Sequence, residues 1–243
     1  MLSVRNHGRS SGKERRLAWS LAAVAGCVNA AGFYAVGLYS SHMTGALSVM
    51  ADHIALGDMA GLFVSLAIVL SFLAGTVAST LLMNEGERHR LSAVYAYSVM
   101  AEALLLAALG CVDLWIAEIA RGPLLVLGLS FLMGQQNAIV TRLSNARIRT
   151  THVTGMVTDI GIELGNMLDS ALHRRSAVRF APNRDKLMLY GPTVLCFLGG
   201  GVAGVLLYRA VGSALLLGLA GLLAVMALPT IRAERGRLPD GTT

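Results

Sequence analysis

Glu102 is the residue whose position most demands a chemical explanation. It sits near the centre of an apolar stretch, about 91–111, that holds no other Asp, Glu, Lys or Arg. A charge at the middle of a bilayer costs at least about 2.5–3.5 kcal/mol unless it is paired, hydrated or protonated, and such groups usually face a bundle interior and mark a pathway. Protonated and bonded along its own helix, the same residue would serve packing alone. The second constellation is a recurring tetrapeptide, His42-Met43-Thr44-Gly45 and His152-Val153-Thr154-Gly155. Thr44 and Thr154 are expected as helix N-caps, each hydroxyl satisfying an orphan amide of the next turn. A helix start carries free N–H groups and about half a positive charge, which suits an anion or carboxylate. Thr44, Gly45, Thr154 and Gly155 are therefore candidate solute-binding residues, against the plainer reading of two structural caps.

His42 and His152 precede the two Thr-Gly pairs. Histidine titrates near neutral pH, so either could couple solute movement to protons, or simply bond to backbone at an interface. No metal-ligand spacing accompanies them, and neither metal nor cofactor is expected. Asn29 and Asn137, the latter beside Gln135 and Gln136, place amides inside or at the end of apolar segments. Interhelical amide bonds contribute about 0.6–2 kcal/mol, so helix–helix glue or cavity lining is their expected role. Asp159 and Glu163 share a helix face at a spacing of four and are expected to be solvated. Phosphate-binding loop, dinucleotide fingerprint, nucleophile elbow and zinc-protease helix are all missing from the sequence, and an enzyme is not expected.

Composition dictates the elements that must position these groups. Of 243 residues, 55% are apolar and 14% charged, and mean hydropathy is +0.63; ordinary soluble domains have about 25% charged residues. Between Arg16 and Asp52 lie 35 residues without Asp, Glu, Lys or Arg, and between Asp58 and Glu85 lie 26. About 20 apolar residues suffice for a helix to cross the hydrocarbon core. These features exclude a soluble enzyme, a secreted disulfide scaffold and a nucleic-acid-binding domain. Cys27, Cys111 and Cys196 fall in different apolar segments, so no disulfide ladder is expected.

Six spans follow, at about 17–38, 60–83, 91–111, 122–141, 187–208 and 210–230, with two shorter helical stretches at about 43–57 and 153–169. If neither short stretch crosses and the N-terminus is inside, 18 of the 20 basic residues lie on the cytoplasmic side, leaving Arg121 and Arg209 outside. That bias is the positive-inside pattern. The expected layout is a basic cytoplasmic tail (1–16), one membrane domain (17–230) and a cytoplasmic C-terminal tail (231–243). The basic loop 172–186 is expected against anionic headgroups.

The chain also carries a diverged internal repeat. Besides the His-x-Thr-Gly pair, Asn29-Ala30 matches Asn137-Ala138, and Leu56-Gly57-Asp58 matches Leu164-Gly165-Asn166. The stretch LSFLAGTVASTLL (70–82) agrees with LCFLGGGVAGVLL (195–207) at eight of thirteen positions. Each unit, about 17–111 and about 122–230, holds three spans. An odd number inverts the second copy, giving an all-α polytopic protein with six transmembrane helices and two short Thr-Gly half-helices in a 3+3 inverted repeat. Many secondary transporters have this architecture. Gly200-xxx-Gly204 and Gly75-xxx-Ser79 are small-residue faces expected to pack closely, within the bundle or between protomers.

The stretch Met133-Gly-Gln-Gln-Asn-Ala-Ile-Val-Thr-Arg142 and the second element, Arg149-Thr-Thr-His-Val-Thr-Gly-Met-Val-Thr-Asp159, resemble the YoaK-like family of bacterial integral membrane proteins, a family of unknown function. The resemblance runs over about 17–230. It implies a six-span protein of the bacterial inner membrane and supplies no substrate.

Two functional readings stand. One is a small secondary transporter or channel for a small polar or anionic solute, with Glu102 and a histidine as coupling groups. The other is a non-transporting membrane scaffold or regulatory subunit. The expected partners are the lipid bilayer, a small-molecule or anion ligand and a second copy in a homo-oligomer, with no nucleic acid.

Overall fold

The computed structural model describes residues 11–116, 118–144, 150–172 and 183–236. Several basic residues that set the expected topology, Arg5, Arg9, Arg147, Arg149, Arg174, Arg175, Arg179 and Arg237, lie outside the described residues, as does most of the loop 172–186.

Eight α-helices make up the described chain: α1 (Ser11–Val36), α2 (Met43–Leu56), α3 (Met59–Arg88), α4 (Val94–Trp115), α5 (Glu118–Leu143), α6 (Val153–Leu172), α7 (Arg184–Val211) and α8 (Ala214–Arg235). Six of them, α1, α3, α4, α5, α7 and α8, are long and apolar enough to cross a membrane. Helices are what such a sequence must form, because hydrocarbon offers no partner for an exposed amide or carbonyl. The protein is a multi-pass membrane protein.

Breaks between helices are locally encoded. α2 stops at Gly57, which adopts the left-handed conformation (φ 73°) that a Cβ disfavours, while the N–H of Asp58 returns to the His53 carbonyl at 2.9 Å. Asp58 then caps α3, its Oδ1 accepting from the Gly61 N–H at 3.1 Å. Asn183 caps α7 in the same manner, its Oδ1 accepting from the N–H groups of Asp185 and Lys186 at 3.1 and 3.3 Å.

The spanning helices associate chiefly in pairs, α1 with α7, α3 with α5 and α4 with α8; α5 also packs on α1 and α4. α2 lies along α3, and α6 along α7. The core centres on α1, α4, α5 and α8, where Leu21, Leu106, Leu129, Leu132, Met133, Ile139, Leu216 and Leu223 are buried. α3 and α7 instead expose long apolar rows, among them Phe63, Leu70, Leu73 and Val77, and Leu195, Leu198, Val202 and Leu206. Such rows suit acyl chains.

Four glycines set the closest approaches. A Cβ on Gly26 of α1 would collide with the Phe197 carbonyl of α7, and one on Gly200 of α7 with the Ala23 carbonyl of α1. Between α5 and α3 the same relation holds for Gly134 with the Phe72 carbonyl and for Gly75 with the Phe131 carbonyl. Gly204 adds a fifth contact, on Cys27. The small-residue faces therefore work within the bundle, letting backbones touch as small residues do in membranes.

Three expectations need correction. Thr44 and Thr154 are not N-caps: α2 begins at Met43 and α6 at Val153, so both threonines sit inside first turns, and His42, which precedes α2, makes no side-chain cap bond. The Leu-Gly-Asp match also fails. Gly57 ends α2 and Asp58 caps α3, whereas Gly165 and Asn166 lie inside the 20-residue α6; the cap corresponding to Asp58 is Asn183. Finally, Glu163 is buried rather than solvated.

Candidate functional site

The segments that lead into α2 and α6 are each anchored by an asparagine from a spanning helix. Asn29 Oδ1 accepts from the Ser41 backbone N–H at 3.2 Å and from the Ser41 hydroxyl at 2.9 Å. Asn137 Oδ1 accepts from the Thr151 hydroxyl at 3.0 Å, while its amide donates to the Met133 carbonyl at 2.8 Å. The two asparagines are buried. They tie the segments just before His42 and His152 to positions well inside α1 and α5.

The glycine of each Thr-Gly pair has a steric role. The His42 ring stands against Gly45, where a Cβ would meet its Cδ2 and Nε2. His152 stands against Gly155, its Nδ1 2.8 Å from where a Cβ would be. Thr44 and Thr154 are exposed. Their carbonyls accept from the next hydroxyl along the helix, Ser48 at 3.0 Å and Thr158 at 2.9 Å. Residues four apart share a helix face, so Thr44, Ser48 and Asp52 form one exposed polar stripe on α2.

Glu102 is not brought to this site. It lies on α4, among the most deeply buried side chains of the molecule, and neither carboxyl oxygen has a hydrogen-bond partner. Its helix packs on α8, α5 and α3, while α2 and α6 rest on α3 and α7. The sequence candidates therefore divide into Asn29, His42, Thr44 and Gly45 at the start of α2, Asn137, His152, Thr154 and Gly155 at the start of α6, and Glu102 apart.

Neighbouring polar groups that the sequence reading passed over close the ends of the bundle. The buried Asp113 carboxylate at the end of α4 takes Arg121 of α5 (Nε to Oδ1, 2.6 Å) and the Tyr208 hydroxyl of α7 (2.9 Å to Oδ2). At the opposite end Glu234 of α8 accepts from the Ser92 N–H, from the Ser92 hydroxyl at 2.9 Å and from the Ala93 N–H at 3.1 Å, seating a carboxylate on the start of α4. Arg142 of α5 donates to Asn84 of α3 at 2.5 Å. Arg121 follows Asp113 by only eight residues, across the break between α4 and α5, and that spacing is the available signal. Glu163 of α6 accepts from the Asn183 N–H at 2.8 Å and lies 3.5 Å from Lys186 Nζ. These partners, the Asn183 amide first, hold its carboxyl below the usual glutamate range. Among the described residues no group of three or more His, Cys, Asp or Glu side chains could hold a metal ion.

The family described as "Protein of unknown function (DUF1275)" matches residues 17–228, nearly the whole helical body. The chain belongs to this family. Among curated proteins it is similar to the UPF0700 transmembrane protein YoaK of Bacillus subtilis (strain 168), 23% identical over 160 residues, which is 65% of this chain and 71% of that protein. The resemblance read from the Gln-Asn-Ala and second Thr-Gly stretches is thus upheld across the membrane domain of this DUF1275 member. No solved structure matches it.

Proposed function

We propose that this DUF1275 protein is a small secondary transporter or channel for a small polar or anionic solute, built as a 3+3 inverted repeat in the bacterial inner membrane with both termini cytoplasmic. The observation that carries the reading is the pair of asparagine anchors. Asn29 lies about seven residues, about 10 Å, before the end of α1, and Asn137 about six residues, about 9 Å, before the end of α5. The chain must therefore turn back to reach them, so α2 and α6 start near mid-depth and run out toward opposite faces. Paired half-helix starts of this kind are how transporters address anionic groups.

Exchange of α1–α4 with α5–α8 supports the repeat residue by residue. Asn29–Ser41 becomes Asn137–Thr151. Gly26–Phe197 becomes Gly134–Phe72, and Gly200–Ala23 becomes Gly75–Phe131. The Asp58 cap of α3 becomes the Asn183 cap of α7.

In this reading Thr44, Gly45, Thr154 and Gly155 meet the solute, and His42, His152 and Glu102 are the coupling candidates. The scaffold reading draws on one observation, the burial of Glu102 away from α2 and α6. Glu102→Gln separates the two. The transporter reading expects a folded protein of nearly unchanged Tm that has lost pH-dependent uptake into proteoliposomes. A thermal-shift screen of the purified protein against small anions and organic acids identifies the solute class, since a ligand at a hundredfold excess over Kd stabilises by about 2.7 kcal/mol. A stabilising solute whose effect is abolished by Thr154→Ala supports the site. Absence of uptake for every solute that stabilises the protein would move the assignment to a scaffold.

A further inference from the structure

Under the repeat proposed above, α4 and α8 are equivalent helices, and their contacts locate the axis that relates the two halves. The exchange carries Ser92 and Glu234 into Ser213 and Asp113. Both pairs touch: the Ser92 hydroxyl donates to the Glu234 carboxylate at 2.9 Å, and the Ser213 hydroxyl to the Asp113 carbonyl at 3.4 Å. Between these ends a Cβ on Gly110 would meet Leu216 and Leu217, so one antiparallel register holds along the pair. That register sets Glu102 opposite Ala224 and Val225, while the exchange makes Leu223 its equivalent. α4 therefore crosses its own counterpart within about one residue of Glu102, about 1.5 Å along the helix. A two-fold axis in the membrane plane passes there, at mid-depth. Burial follows the same match, with Val99, Glu102 and Leu106 on α4 buried like Ala220, Leu223 and Ala227 on α8.

Packing does not ask for a carboxyl at this point. Leu223 fills the equivalent place with an apolar side chain, and neither Glu102 oxygen bonds to its own helix or to a neighbour among the described residues. An ionised carboxyl so placed is costly unless paired, hydrated or protonated. No cation pairs with it. Of the helices packed on α4, α8 carries charge only from Arg232 onward, α5 only at Glu118, Arg121 and Arg142, and α3 only from Glu85 onward; α4 itself adds Asp113. All lie about eight residues or more, about 12 Å, from the level of Glu102. Of the uncharged titratable groups on these helices, Tyr95 is two turns away on the same face, and Tyr97 and Cys111 are on the opposite one. A metal cation would need several oxygen ligands. Glu102 shares its face with Leu109, which lies against Gly128 of α5, and with Ser98, whose carbonyl accepts from the Gln135 amide of α5 at 3.5 Å. Between those two contacts α5 presents Phe131 and Leu132, and the Ser98 hydroxyl is spent on the Val94 carbonyl at 3.1 Å. We propose that Glu102 is the protein's proton-binding site, a single carboxyl on the axis between the repeats and equally far from both membrane faces. The proposal rests on the inverted-repeat reading and deepens it: the coupling ion is the proton, and Glu102 carries it rather than a histidine.

Difference infrared spectroscopy of the purified full chain follows the protonated-carboxyl stretch, with Glu102→Gln as the reference. The expected band is present at neutral pH, gives way to a carboxylate band in alkali, is unchanged when sodium replaces choline, and is missing from Glu102→Gln. A Glu102 already ionised at neutral pH, one still protonated in alkali, or a band removed by sodium overturns the proposal. The axis placement is read from the exchange variant Glu102→Leu/Leu223→Glu, which moves the carboxyl to the equivalent place at the same depth. It is expected to regain the titrating band that Glu102→Leu alone lacks. A folded exchange variant without that band overturns the axis placement; where the variant does not fold, wild type and Glu102→Gln decide the proton site by themselves. No solute enters these measurements. A negative spectrum therefore leaves the uptake assay standing, with His42 and His152 as coupling candidates, and an absence of uptake leaves the proton site standing. The repeat is tested separately, by sided labelling at Leu56 and Leu172.

Discussion

Asn29 Oδ1 holds Ser41 by two bonds, 3.2 Å to its backbone N–H and 2.9 Å to its hydroxyl, and so pulls the end of a six-residue connection back alongside the helix it has just left. The bond fixes the segment after α1 against α1 itself. The corresponding bond from Thr151 to Asn137 does the same for α6.

The anchors are therefore expected to matter more than their exposed neighbours. Asn137→Ala should lower stability by about 0.6–2 kcal/mol, the range for interhelical polar bonds in membranes. Asn29→Ala should do likewise, and Thr158→Ala should cost less than either. Thermal unfolding in one detergent, compared across the three variants, checks the order.

The glycine contacts make a sharper prediction. Gly26→Ala, Gly75→Ala, Gly134→Ala and Gly200→Ala each drive a methyl into a backbone carbonyl, which no rotamer change relieves. Each is expected to cost at least the about 1–3 kcal/mol of an overpacked core. Gly199→Ala, next to Gly200 and with open space around it, is expected to be neutral. Equal losses at Gly199 and Gly200 would contradict the packing.

At the end of the bundle, Asp113 is fully buried while Arg121 is 30% exposed. Breaking a buried ion pair costs about 3–5 kcal/mol, but Arg121 regains water when released. Asp113→Ala is therefore expected near or below the low end of that range. The double variant Asp113→Ala/Arg121→Ala should lose less than the sum of the two single variants, and a double-mutant cycle measures the difference.

Much of this architecture is legible in the chain, because the hydrocarbon core leaves few choices. The expected spans 60–83 and 187–208 lie within α3 and α7, and the expected short stretches 43–57 and 153–169 coincide with α2 and most of α6. Asn29 and Asn137 stand out because buried amides are scarce among Leu and Ala. Their common role as anchors was hidden, since Ser41 and Thr151 come from segments without periodicity. Extending that match back three residues would have aligned Gly26 with Gly134. Thr44 and Thr154 misled because a threonine before a helical run looks the same at the N-cap as one residue inside the helix. Glu163 misled because its burial depends on Asn183 and Lys186, across a segment that says nothing about where the chain returns. Glu234 and Ser92, far apart in sequence, meet only because α4 and α8 pack together.

Sided labelling of two cysteines tests the inverted architecture most directly. In a chain whose three native cysteines are replaced by Ala, Leu56→Cys, 82% exposed at the end of α2, and Leu172→Cys, exposed at the end of α6, are treated with an impermeant maleimide in intact and in permeabilised cells. The account predicts that Leu56→Cys reacts in intact cells, from outside, and that Leu172→Cys reacts only after permeabilisation. Reaction of both from the same side would place α2 and α6 on one face of the membrane and contradict the inverted repeat.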